Sequence, residues 1–334
     1  GEDSGNGDGE EHMIARRHLP LAGLGLSLPA LRSARAAWPA DRPVECIVPF
    51  PPGGGVDAVG RFATHQITPR LPGVRFVVSN RPGASGQLGM EAIFNAAPDG
   101  YTIGAIGSLN VSTLPLERPV RWKAEEFTYI ANIVDDACGL WVLANSPLRS
   151  LADLVTALKR QPESVSVGSA AGVGSDDHLV LLGLEEKADI RALHAPFNGT
   201  AQVQRDLLGG SVDVASFNMS EGIALMREGR IRCLGQASPT RWSAVPDVPT
   251  FREQGFDVVI GSARGIVGPP GFPPEAARAM EAAFAAAFAD PAFTDAAERI
   301  SLPLRPLVGR AYRDMVLSEG EMVRAMFARR PWRR

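Results

Sequence analysis

Twice in this chain a short apolar run breaks into a glycine-rich loop and then into residues spaced as a helix. That order dictates an α/β architecture with parallel strands. The first run, 44–50, is closed by Pro51, Pro52 and the triplet Gly53, Gly54 and Gly55, after which Val56, Val59, Phe62, Ala63 and Ile67 recur at helical spacing. The second is a strand expected over 164–169, a loop from Gly168 to Ser175, and a helix over 176–186. Further strands are expected at 75–79, 101–107, 140–144 and 212–217, with helices near 90–97 and over 151–159. Beyond Ile260 the chain turns strongly helical, at 274–288, 293–300 and 312–327, a segment expected to pack back on the first lobe. The reading is two α/β lobes: 37–138 with 261–334 as lobe 1, 139–260 as lobe 2, and two crossing segments between them.

The first 36 residues read differently. An acidic, glycine-rich stretch precedes Met13, then come Arg16 and Arg17, an apolar run over 19–31 broken by Pro20 and Pro29, and small residues at Ala34 and Ala36. That is the order of a secretory signal peptide cleaved after Ala36, and the run is too short to span a bilayer. The paired arginines suit a general or a twin-arginine route equally. Removing the segment leaves 30 basic against 32 acidic residues. A surface so nearly neutral, without a basic stripe, excludes nucleic acid as a partner. Cys46, Cys138 and Cys233 are odd in number and lie mostly in apolar runs, so buried thiols are expected and a disulfide framework is not.

Both glycine loops bridge a strand end and a helix start. Glycines let a backbone approach a ligand closely, and a helix start offers unpaired N–H groups at a positive dipole end, so an anion is held without a cationic side chain. A carboxylate fits that need. Asp57 would repel an anion and suits the first turn of its helix, Ser175 is placed as an N-cap, and Ser169 is a candidate donor to a ligand oxygen. One loop from each lobe would then meet across an interlobe cleft. Enzyme chemistry is missing: there is no G-x-S-x-G elbow and no Walker loop, and Gly172 to Ser175 does not complete a dinucleotide fingerprint. His65, His178 and His194 have no metal-ligand spacing, and His178 reads as a capping or packing residue. No catalytic residue, cofactor or metal is expected. An α/β hydrolase-like enzyme is the weaker alternative, and an exported sensor presenting its ligand to a receptor is the nearer one.

The runs VPFPPGGGVDAVGRFA, NRPGASGQLGMEAIFNAAPDGYTI, VGSAAGVGSDDHL, PFNGTAQVQRDLLGGSVDVASFN, GRIRCLGQAS and VPDVPTFREQG, in that order, resemble the substrate-binding proteins of tripartite tricarboxylate transporters, the Bug family. The resemblance covers almost all of the chain from Trp38. It implies a type II periplasmic-binding-protein fold that closes on an organic acid: a di- or tricarboxylate, an aromatic acid or an acidic amino acid. It also implies a periplasmic monomer that serves the membrane subunits of such a transporter. The ligand-contacting set expected on this basis is Phe50, Gly53, Gly54, Asp57, Ser85, Ser108, Ser169, Gly174, Ser175, Phe197, Asn218 and Arg264. Three features depart from the family pattern: Val56 replaces a hydroxyl residue, Asp176 and Asp177 replace small neutral ones, and Phe197-Asn198-Gly199 replaces tyrosine-lysine-glycine. Arg264 enters by charge balance, because a second carboxylate deep in a cleft needs a cation and arginine offers a bidentate fork. Apolar residues 258–260 and 266–267 flank it, which places it between buried segments.

Overall fold

The structure, a computed structural model, describes residues 38–39 and 42–332, and the expected signal peptide lies outside them. Strands and helices alternate from the start: β1 (Val44–Val48), α1 (Gly55–Ile67), β2 (Phe76–Asn80), α2 (Gln87–Phe94), β3 (Thr102–Gly107) and α3 (Ser108–Glu117). A long strand, β4 (Thr128–Leu143), leads into α4 (Leu151–Arg160), β5 (Ser166–Ser169), α5 (Asp176–Ala188), β6 (Leu193–Pro196), α6 (Thr200–Leu208), β7 (Val214–Asn218), α7 (Met219–Arg227) and β8 (Ile231–Gln236). The chain returns through β9 (Gly261–Gly268) and closes with α8 (Pro274–Phe288), α9 (Pro291–Arg299), β10 (Leu304–Val308) and α10 (Arg310–Arg329).

β1 pairs in parallel with β2 and β3, while β9 joins β3 to β4 by antiparallel pairing and β10 lies on β4 beyond it. The first part of β4, up to Ala137, pairs with β9. From Cys138 onward β4 pairs instead with β7 and β8, and β7 continues into the parallel strands β5 and β6. One strand therefore serves two sheets. The return passes at the same level, since Cys138 donates its N–H to Ile260 O at 3.0 Å and Gly261 opposes Ala137. This is the two-lobed α/β architecture of a periplasmic binding protein.

Helices cover both faces of each sheet, which is why the strands are continuous apolar runs. Val44, Val48 and Ile103 pack with Phe62 of α1 and Phe284 of α8 on one face, and Ile47 and Ile106 pack with Met90 of α2 and Tyr312 of α10 on the other. In the second sheet Leu140 and Val167 face α4 and α5, whereas Trp141 stacks on Phe217 at 5.1 Å toward α6 and α7. Cys46, Cys138 and Cys233 are free and buried, as their apolar settings require, and burial pushes the Cys46 and Cys233 thiols up to about 12.

Two elements differ from expectation. The strand expected at 140–144 is the end of β4, whose first twelve residues went unread because Asp135 and Asp136 interrupt the apolar run. The C-terminal segment packs on the first sheet only in part. Tyr312 and Val316 do so, but Val323 and Trp332 join the core of the second, and Arg330 pairs with Glu185 of α5 at 2.5 Å. α10 thus lies across both sheets.

On α10, Glu319 reaches toward Ser108 at the start of α3, with its Oε2 buried and unpartnered among the described residues. Burial, opposed by Ser108, pushes its carboxyl up to about 7. A carboxyl that binds its proton more tightly in the folded state stabilises the fold below its unfolded pKa, and that contribution is lost as pH rises through the folded value. Glu319→Gln should therefore match the natural protein near pH 4.5 and exceed it by about 1 to 3 kcal/mol near pH 8. Urea unfolding at both pH values checks this, and an unchanged difference contradicts it.

Candidate functional site

In the first glycine loop Gly53 has φ +87°, a backbone that a side chain would strain, and its N–H donates to Asp57 Oδ2 at 3.0 Å. Asp57 is buried and also accepts from Arg61 Nε and Asn80 Nδ2, so it ties the loop to α1 and β2. Burial alone would raise its carboxyl, but bonds from Arg61, Gly53 and Asn80 outweigh it and hold the group below its ordinary value. Gly54 precedes the first turn of α1, and a methyl group there would meet only Pro51 O at 3.9 Å. Gly55 has no such room. A methyl group on it would overlap the Arg264 guanidinium.

The second loop is internally satisfied. Ser175 caps α5 by accepting from His178 N, and its hydroxyl donates to Gly172 O at 2.8 Å. Gly174 N donates to His178 Nδ1 at 3.1 Å, and the His178 ring stacks on His194 at 4.0 Å. Ser169 Oγ lies 2.8 Å from His194 Nε2. A methyl group on Gly174 would overlap the Glu117 carboxylate at the end of α3, so the first half of the molecule closes directly on this loop. Phe197 packs on Gly168 and Phe50 on Gly86, while Ser85 is exposed at φ +57°.

The sheet crossing joins the two loops. Arg264, 3% exposed, donates from NH1 to Asp136 Oδ2 at 3.2 Å, from NH2 to Asn218 Oδ1 at 2.7 Å and from Nε to Ser262 Oγ at 3.2 Å. Asn218 in turn donates from Nδ2 to Asp176 Oδ2 at 2.8 Å, one residue past the cap of α5. Asp136, fully buried, also accepts from Ser220 N and Ser220 Oγ at the start of α7. Ser108, with no exposed surface, begins α3 directly after Gly107, where a methyl group would meet Ser262 Oγ. The starts of α1, α3, α5 and α7 therefore gather around one guanidinium, and this arrangement can hold an anion by helix-end N–H groups.

Of the expected residues, Gly53, Gly54, Ser108, Ser175, Asn218 and Arg264 belong to this convergence. Phe50 and Ser85 stand at the rim of the first loop, and Ser169, Gly174 and Phe197 at the second. The reason for a glycine at Gly55, the role of Asp136 and that of Ser220 went unnoticed in the sequence. Only the acidic break at Asp135 and Asp136 hinted at the second of these. Arg264 is buried as its apolar flanks imply, but its guanidinium is first committed to Asp136 and not left whole for a ligand carboxylate. Removing it strands a buried charge, which costs about 3 to 5 kcal/mol. Arg264→Ala should lose that much stability in urea unfolding, and a loss below about 1 kcal/mol would contradict the pairing.

Comparison with known proteins identifies the family. Residues 59–303 match the family described as "Tripartite tricarboxylate transporter family receptor". Protein BugT of Bordetella pertussis is 32% identical over 261 residues, 75% of this chain and 77% of that one. Among solved structures, Rpa4515 of R. palustris with adipate is 26% identical with a TM-score of 0.80, covering 87% of this chain and 97% of that one. MatC from Rhodopseudomonas palustris with bound malate is 25% identical with a TM-score of 0.72, covering 86% and 97%. The matched residues begin within α1, after the first glycine loop, and run through the crossing to just before β10, and the chain belongs to this family of solute-binding receptors, which are not enzymes.

Proposed function

We propose that the chain is a periplasmic receptor that captures a small organic carboxylate and delivers it to the membrane subunits of a tripartite tricarboxylate transporter. The observation that carries this reading is the convergence of glycine-bordered helix starts on Arg264 at the junction of the two sheets. A helix start supplies a carboxylate with oriented N–H donors and no competing acid–base chemistry. The two similar receptors solved with malate and with adipate hold diacids, which favours a ligand with two carboxylates. The range proposed is di- or tricarboxylates, aromatic acids and acidic amino acids.

Each half of the molecule contributes only part of the ligand's hydrogen bonds, so binding draws the halves together by hinge motion at β4 and β9. The receptor acts as a monomer. Gly54 is the position to test, because its backbone suits any residue and its Cβ direction is open, so a side chain there fills the anion's place while the fold persists.

Titration calorimetry with malate, adipate and citrate should find at least one that binds. Gly54→Phe should weaken that acid by about a hundredfold, or about 2.7 kcal/mol, without lowering the melting temperature. The bound form should also be more compact in small-angle scattering. No binding by any acid to the folded protein, or full binding by Gly54→Phe, would overturn the proposal.

A further inference from the structure

We infer that Cys138, Asp176 and Asp177 form a binding site for one divalent metal ion, with zinc the best chemical match. The Cys138 sulfur and one carboxylate oxygen from each aspartate all lie within 4.8 Å of one another. Cys138 Sγ is already 3.3 Å from Asp176 Oδ2. Zinc bonds of about 2.0 Å to oxygen and 2.3 Å to sulfur set donor atoms roughly 3.3 to 3.8 Å apart in a tetrahedron, so a small inward shift completes the geometry. β4 fixes the sulfur where it changes sheets, and the first turn of α5 fixes both carboxylates.

A second observation points to a missing cation. Asp177 is 2% exposed, and its Oδ1 is buried with no hydrogen-bond partner among the described residues. Leaving a charged oxygen so is costly, and native proteins rarely do it without an ion or a proton. The local charge is lopsided: Asp136, Asp176, Asp177 and Glu221 all act on Arg264, and that guanidinium donates to Asp136 and Asn218. Asp176 and Asp177 have no salt-bridge partner among the described residues. Asn218 also donates to Asp176 Oδ2, which holds that carboxylate in place.

The donor set of one thiolate and two carboxylates selects against magnesium and calcium, which take oxygen alone, and suits zinc. Binding releases the thiol proton to the buffer, and water completes the fourth position. The sequence reading expected no metal because it looked for close spacing, whereas Cys138 and Asp176 are 38 residues apart and meet only through the fold. One consequence, which rests on the receptor reading, is that the ion reverses the repulsion Asp176 and Asp177 exert on an anion at the start of α5. The site itself does not depend on that reading.

The test uses the full chain, stripped with a chelator, with no organic acid present. Titration calorimetry with zinc chloride should show one ion per chain, and cobalt in its place should give a thiolate-to-metal charge-transfer band in the near ultraviolet. Cys138→Ser should abolish that band, and Cys138→Ser and Asp177→Asn should each weaken zinc by about tenfold or more. Asp177→Asn removes charge at constant volume, so an undiminished melting temperature separates a lost site from a lost fold. Absence of stoichiometric uptake, uptake without the cobalt band, or unchanged affinity in both variants would overturn the proposal. Failure of every organic acid to bind, with zinc uptake intact, would instead count against the receptor reading alone.

Discussion

An arginine and an aspartate with almost no exposed surface meet where β4 passes from one sheet to the other beside the returning strand β9. Asp136 precedes by two residues the point at which β4 changes partners, and Arg264 lies three residues past the return crossing. Neither charge is tolerable alone in that setting, because burial costs several kcal/mol per ion unless a partner offsets it. Burial still pushes the Asp136 carboxyl up, with Arg264 the strongest opposing influence. The two crossing strands are thereby held in one register, and everything placed at their ends inherits that register.

What inherits it is the set of helix starts. Gly55 must be glycine because the guanidinium lies where its side chain would be, so α1 is seated directly on the ion pair. Asn218, at the end of β7, relays the arrangement to Asp176 and so to α5. Ser220 does the same for α7 through Asp136. On the proposed function, a solute held at these helix starts would touch groups from both halves of the molecule. α10 adds a second tie, since it packs on the first sheet near Tyr312 and reaches α5 through Arg330 and Glu185.

Much of this was legible locally. α8 spans 274–288 as its periodicity requires, and α1, α4 and α5 begin at or within one residue of their expected starts. Glycine loops and caps announce themselves because their chemistry is short-ranged: Ser175 caps α5, and His178 packs and accepts a loop amide. The crossing was not legible. Two adjacent aspartates look like a surface turn, and only a partner 128 residues away makes Asp136 a core residue. β9 went unread for the same reason, since Arg264 breaks its apolar pattern. Gly55 was visible as part of a triplet, but the reason it must be glycine is a contact no local pattern encodes.

A double-mutant cycle on Asp136→Asn and Arg264→Met, read by urea unfolding, tests the central claim most directly. If the ion pair organises the crossing, each single change is strongly destabilising and the double change recovers part of the loss, giving a coupling of about 1 to 3 kcal/mol. If the two losses simply add, to within about 0.5 kcal/mol, the residues act independently and the crossing is held by its strand pairing alone.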